Sequence, residues 1–235
     1  MSEPGPHEQP AGLPPVRNHW WWRPGWRTGR HIYACHLITE GQPELRELAQ
    51  QYQAALAHIP GLDVIPAAWL HITTQGIGFA DEISTADLAS VQQHLTQRLR
   101  VQEPPVVTSW QPAVWQEGVV LRAIPSEPLH RLRVAMHEAI AAALGPARFS
   151  EPRPGPDQFT PHMSLAYVNR DGPAQPIAHA LSTVTADTAT TFGQAFVLEF
   201  HRDNRMYEWA QATPIPIGEH NQPQRAQGRL SPSCA

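Results

Sequence analysis

Two short segments, Leu70-His71-Ile72-Thr73 and Pro161-His162-Met163-Ser164, alternate apolar and polar side chains and stand 91 residues apart. Alternation with period two fits a strand with one buried face, because successive side chains of an extended chain point to opposite sides. His71 and Thr73 then share one face, and so do His162 and Ser164. The chain is thereby constrained to contain two strands, one in each half, that each set an imidazole beside a hydroxyl.

The bare tripeptide carries little weight. With 13 histidines and 24 serines and threonines in 235 residues, about one His-x-Ser/Thr arises by chance. A third copy, His94-Leu95-Thr96, acts as an internal control. Leu88, Val91, Leu95 and Leu99 mark that stretch as an amphipathic helix, on which residues two apart diverge.

The surrounding pattern alternates strands and helices. His31 to Ile38 reads as a strand, and residues 43 to 58 as a helix with Leu45, Leu48, Tyr52 and Leu56 on one stripe. Leu70 to Phe79 is the first motif strand. Residues 84 to 100 form a helix that opens on Ser84-Thr85-Ala86-Asp87, which resembles a capping box, and Pro104-Pro105 prevents its continuation. Apolar runs at Pro105 to Trp110 and Gly118 to Ile124 precede a helix from 126 to 144, striped by Leu129, Leu132, Met136 and Ile140. A Pro-rich loop at 151 to 156, the second motif strand Thr160 to Val168, and strands near Gln194 to His201 and Met206 to Pro214 complete the chain. Arg202-Asp203-Asn204-Arg205 suits the last hairpin turn.

Amphipathic helices of this length need a sheet to cover. The expected architecture is α+β and bilobal. Each half contributes an antiparallel sheet backed by helices, in pseudo-symmetric lobes, and the motif strands face one another across a central catalytic groove. The leucine spacing is common to any sheet-packing helix, so periodicity alone leaves internal duplication open. Residues 17 to 217 are expected to form this single domain, between disordered tails at 1 to 16, with five prolines, and 218 to 235, rich in Gln, Pro and Ser.

Composition removes several classes of function. Lysine is absent, so all 17 basic residues are arginine, and Schiff-base, Walker A and adenylyl-lysine mechanisms are excluded. A net charge of -4 argues against a general nucleic-acid coat. The apolar stretches fall short of the roughly 20 residues that span a membrane, and the N-terminus lacks a signal-peptide layout, so a cytoplasmic protein without membrane contact is expected. Cys35 and Cys234 have no metal or redox spacing. Cys35 is expected to be a buried structural thiol. No HExxH, EF-hand loop or cysteine cluster is present, so neither a metal nor another cofactor is expected.

Cleaving a phosphodiester requires removing a proton from the incoming oxygen and supplying one to the leaving oxygen. Histidine does both near neutral pH because its unperturbed pKa is about 6.5. Two opposed imidazoles suffice, one neutral as base and one protonated as acid, while Thr73 and Ser164 donate to nonbridging oxygens. The plainer alternative is that His71 and His162 are ordinary histidines near strand ends, satisfied by backbone. Their paired strand context favours chemistry.

The segments Trp69-Leu70-His71-Ile72-Thr73-Thr74-Gln75-Gly76-Ile77-Gly78 and Thr160-Pro161-His162-Met163-Ser164-Leu165-Ala166-Tyr167 resemble the paired motifs of the two-histidine phosphoesterase superfamily, most closely its bacterial 2'-5' RNA ligase-like branch. The resemblance spans roughly residues 30 to 217. It implies a bilobal fold with pseudo-twofold symmetry, metal-independent catalysis and action on 2',3'-cyclic phosphates or 2'-5' linkages of nucleotides or RNA ends, with 2'-5' ligation as a further activity. It implies catalytic roles for His71 and His162 and phosphate-holding roles for Thr73 and Ser164. Gln75 and Tyr167 stand where members acting on RNA often carry arginine, and both are candidate substrate contacts. Arg122, Arg202 and Arg205 are candidate replacement phosphate contacts.

Residues 17 to 30 gather Trp20, Trp21, Trp22 and Trp26 with Arg17, Arg23, Arg27 and Arg30. Such alternation either covers a lobe surface or a sheet edge, or holds single-stranded nucleic acid by stacking and charge. The expected activity is hydrolysis of a 2',3'-cyclic phosphate on a nucleotide or RNA end, without an obligate protein partner. The competing readings are a noncatalytic nucleotide or RNA binder and an enzyme for another small cyclic phosphodiester, such as an ADP-ribose cyclic phosphate.

Overall fold

The computed structural model describes residues 13–145, 148–149 and 159–219. The Pro-rich loop at 151–156, Cys234 and most of both expected tails lie outside the described residues. Three helices arise where leucine stripes require them: α1 (Pro43–Leu56), α2 (Thr85–Leu99) and α3 (Glu127–Leu144). The capping box forms, with Ser84 Oγ accepting from Asp87 N at 3.1 Å and Asp87 accepting from Ser84 N at 3.2 Å. A fourth helix, α4 (Gln175–Ser182), buries Ile177, Ala180 and Leu181. His94-Leu95-Thr96 lies on α2, where the His94 ring turns back to Ser90 O.

The strands are β1 (Ile32–Ile38), β2 (Leu62–Val64), β3 (His71–Phe79), β4 (Val106–Val107), β5 (Ser109–Trp115), β6 (Gly118–Ile124), β7 (His162–Val168), β8 (Thr190–Thr191), β9 (Gln194–His201) and β10 (Glu208–Pro216). The main sheet has the order β10-β9-β1-β3-β7-β6-β5, every pair antiparallel, and β2 also pairs with β7. β4 and β8 form a separate ladder.

The first half of the chain does not build the first half of the sheet. α2 and α3 pack on the β10-β9-β1-β3 side, through β10 and β3, whereas α1 and α4 pack on the β7-β6-β5 side. Each side therefore draws one helix from either half of the sequence, and the expected lobes are interleaved along the chain. Helix faces carrying Leu45, Leu95, Leu129 and Leu181 share one core with Cys35, Leu37, Ile72, Leu121, Met163 and Val197 of the sheet. Each fully buried side chain of this kind contributes about 1.5–3 kcal/mol. Cys35 is fully buried, which pushes its thiol up to about 12 and leaves it inert.

The opposite sheet face carries a smaller cluster of Ala34, Ile38, Phe196, Leu198 and Phe200, with Trp26, Tyr207 and Trp209 packed against it. The ordered core also reaches past the expected boundaries. Val16 is 4% exposed and exchanges backbone hydrogen bonds with Gly172, and Gly218 N donates to Leu99 O. Among the described residues no helix is long and apolar enough to cross a membrane.

Candidate active site

β3 and β7 meet at a single residue pair, Ile72 with Met163, which are the residues that follow the two motif histidines. Paired residues share a face and neighbours alternate, so His71, Thr73, His162 and Ser164 all project from the face opposite the helices. Continuing the register sets His71 opposite Ser164 and Thr73 opposite His162, after which the strands part. The two motifs are thus related by a twofold axis through the Ile72–Met163 pair.

A β-bulge follows each histidine. β3 runs from Ile72 to Gln75 while β1 runs only from Leu37 to Cys35, and β7 runs from Ser164 to Ala166 while β6 advances one residue from Val120 to Val119. Each bulge reverses the in-out alternation beyond it. Tyr167 thereby joins His162 and Ser164 on the site face, and its hydroxyl interacts with the Ser164 side chain. Gln75 is turned the other way. It pairs with Cys35, is 3% exposed on the helix side, donates to Gly76 O and leaves Oε1 without a hydrogen-bond partner among the described residues. The structure therefore removes Gln75 from the candidate substrate contacts.

Both motif histidines are oriented alike. His71 Nδ1 lies 2.8 Å from Trp69 O and His162 Nδ1 lies 2.7 Å from Thr160 O. A nitrogen facing a carbonyl carries the proton, so each neutral ring offers its Nε2 lone pair. The His36 ring stacks on His71 at 5.5 Å with the planes 8° apart, and Trp209 meets His71 edge-on at 5.5 Å. His36 Nδ1 sits at the bulge, 3.1 Å from Thr74 N and 2.8 Å from Cys35 O. Trp115 lies 4.2 Å from the His162 ring.

Burial pushes His71 down to about 4 against the upward pull of the Trp69 carbonyl, and the nearby His162 adds to the depression. Burial also lowers His162, which the Thr160 carbonyl opposes. His36 is pushed down to about 3 by burial and by His71. All three are neutral at pH 7 in the free protein, so an acid role for either motif histidine needs an anion beside it.

Arg122 pairs with His162 across β6–β7 and so shares its face. Arg122 donates to Gln111 Oε1 at 2.6 Å, while its buried Nε has no partner among the described residues. Tyr167 is 5% exposed and stacks on His19 at 4.4 Å, with Trp20 and Tyr207 at 5.2 and 5.5 Å. Its ring is enclosed by aromatics, so its hydroxyl, not an open ring face, addresses the site.

Residues 16–30 form a strap across this face. His19 N donates to Val168 O, Trp20 Nε1 to Asp63 at 2.8 Å, and Trp21 Nε1 and Arg23 to Glu117 at 2.9 and 2.5 Å. At the other end Trp26 packs on Phe79 and Phe200, and Arg30 pairs with Asp81 at 2.8 Å. The strap thus ties together the two halves of a sheet that β3 and β7 join at one pair. Trp20 and Trp26 cover the surface, whereas Trp21 and Trp22 are 49% and 52% exposed.

The structure brings His71, His162, Thr73, Ser164, Tyr167 and Arg122 to one face. Arg202 and Arg205 gather apart from the histidine pair, with the tryptophans of the strap. His36, Trp115, His19 and Tyr207 were not selected from the sequence. The one available signal was for His36, a polar residue inside the apolar strand Cys35-His36-Leu37. Arg133 of α3 was also missed. It donates to Thr74 O at 3.0 Å and lies over Phe159 at 4.2 Å, linking the first bulge to the approach to the second motif. Among the described residues no group of three or more His, Cys, Asp or Glu is arranged to hold a metal.

An antiparallel sheet face that presents two symmetry-related His-x-hydroxyl pairs defines a two-histidine phosphoesterase. The chain belongs to the 2'-5' RNA ligase superfamily, whose family model matches residues 39–204. The fold is similar to TT0787 of Thermus thermophilus, at 18% identity and TM-score 0.55, covering 81% of this chain and 100% of that one. It is also similar to E. coli LigT in complex with 3'-AMP, at 15% identity and TM-score 0.50, covering 78% and 96%. LigT in complex with NADP+ gives 17% identity and TM-score 0.50 over 81% and 98%. At these identities the likeness establishes the fold alone. No curated protein matches the chain.

Proposed function

We propose that the protein is a phosphodiesterase that opens a 2',3'-cyclic phosphate on a nucleotide or RNA end, with His71 as general base and His162 as general acid. The observation that carries this reading is the Ile72–Met163 pairing, which sets the two imidazoles and two hydroxyls symmetrically about one point. In hydrolysis His71 Nε2 takes a proton from water as its oxygen bonds to phosphorus. The bond from phosphorus to one ribose oxygen breaks, and that oxygen takes the proton of His162 Nε2. His71 leaves the cycle protonated and His162 neutral, and exchange with solvent restores both.

The roles follow from environment. His71 is 8% exposed and stacked on His36, so it stays neutral. His162 is half-buried and regains its proton when the substrate anion arrives. Thr73 and Ser164 hold the nonbridging oxygens, Tyr167 orients Ser164, and Arg122 adds positive charge. E. coli LigT, of the same fold, was crystallised with 3'-AMP, the type of product such opening would give.

The test is a panel of 2',3'-cyclic nucleotides, RNA ends and other small cyclic phosphodiesters, including an ADP-ribose cyclic phosphate, with and without EDTA. Turnover of 2',3'-cyclic phosphates that survives chelation and falls about 10²- to 10⁴-fold in His71→Ala and His162→Ala is expected. Saturable binding without turnover would make the protein a nucleotide binder, and loss of activity on chelation would overturn the mechanism.

A further inference from the structure

A cavity of about 330 Å³ is lined by Asn18, Trp20, Trp22, Arg202, Asp203 and Arg205. That volume is at the low end for small-ligand sites. Arg202 is unusual within it. It is only 4% exposed, makes no ion pair among the described residues, reaches His19 O at a long 3.4 Å, and leaves Nη1 without a hydrogen-bond partner. Its charge rests on the rings of Trp20, Tyr207 and Trp22, at 5.3, 5.5 and 5.7 Å. A buried cation held mainly by aromatic faces is incompletely compensated, and an anion relieves that cost.

The neighbouring acids do not supply that anion. Asp203 accepts from Gly29 N with both oxygens at 3.1 Å. Asp63 accepts from Trp20 Nε1 and Asn169, and faces Arg205 at 3.5 Å. Arg205 itself is 56% exposed at the cavity rim, in a left-handed conformation with φ 55° that turns it out of the hairpin. Trp22 is 52% exposed and presents an open indole beside these cations. An open indole next to two guanidinium groups matches a base and its phosphate.

The position matters as much as the chemistry. One ring, Tyr207, separates this cavity from the catalytic face, lying 5.5 Å from Arg202 and 6.5 Å from His71. Three of the lining residues belong to the strap, ahead of the region matched by the family model at 39–204. We infer that the Trp20–Trp22–Arg202–Arg205 cavity is a second nucleotide subsite, built by the strap, that takes the base and phosphate of the residue adjoining the one that reacts. This rests on the phosphodiesterase reading for the orientation of the substrate, but the subsite can be tested without turnover.

Two measurements decide it. In the first, kcat/KM is compared for a 2',3'-cyclic mononucleotide and a trinucleotide ending in a 2',3'-cyclic phosphate. Trp22→Ala should lower the value for the trinucleotide about 10-fold, as expected for one lost stacking contact, and leave the mononucleotide within about twofold. Equal losses on both substrates, or no loss on the trinucleotide, would overturn the subsite. The second uses a His71→Ala/His162→Ala background, in which tryptophan fluorescence follows binding of a 3'-phosphorylated trinucleotide. Adding Trp22→Ala or Arg205→Gln should each weaken binding about 10-fold, and unchanged affinity would refute the assignment. If the wild type turns over neither substrate, the hydrolytic reading fails, and the binding measurement alone decides the subsite.

Discussion

At the residue scale the site is a set of hydroxyl and imidazole groups whose aim is set by their neighbours. Tyr167 shows this most clearly. Its ring is enclosed by His19, Trp20 and Tyr207, and its hydroxyl interacts with Ser164. Removing that one oxygen should leave the packing intact and free the Ser164 hydroxyl to rotate. Tyr167→Phe is expected to cost about 1 kcal/mol of stability and to lower kcat several-fold with little change in KM, measured by denaturant unfolding and steady-state kinetics. A variant with unchanged kcat would show that Ser164 needs no such support. The residue scale also explains why Gln75 is turned away from the site. Counting in twos from His71 puts Gln75 with Thr73 on the site face. The bulge in β3 adds one residue and reverses it.

At the element scale, what could be read from the sequence was what local periodicity controls. The stripes of Leu45, Leu48 and Tyr52, of Val91, Leu95 and Leu99, and of Leu129, Leu132 and Met136 each mark a helix that forms. The His-x-hydroxyl alternation likewise marks β3 and β7. Helix α4 escaped because eight residues with few large apolar groups give little periodic signal. The bulges escaped because one extra residue in a strand leaves no composition mark. The interleaving of the two sheet halves depends on long-range docking that no local pattern encodes. The strap is the element whose role the structure adds. Trp26 anchors its far end on Phe79, Phe200 and Tyr207. Trp26→Ala should destabilise the protein by about 2 kcal/mol, roughly half the cost of emptying a fully buried tryptophan site, read as a lowered denaturation midpoint. An unchanged midpoint would mean that the strap is not held to the sheet there.

At the scale of the whole molecule, one sheet carries helices α1 to α4 behind it and both motifs in front, and its two halves meet where the motifs meet. The central claim is that His71 and His162 act on one phosphorus as base and acid. The measurement that tests it most directly is the pH dependence of kcat/KM on a 2',3'-cyclic nucleotide, which reports the free protein's ionisations. His71 must be neutral, so activity rises with pH through about 4. His162 must be protonated, and its burial places its loss of a proton below the ordinary 6.5, so activity falls again before neutral pH. The expected profile is a bell with an acidic optimum between these limits, whose acid limb disappears in His71→Ala and whose alkaline limb disappears in His162→Ala. A profile that climbs to a plateau above pH 7, or keeps both limbs in either variant, would contradict it.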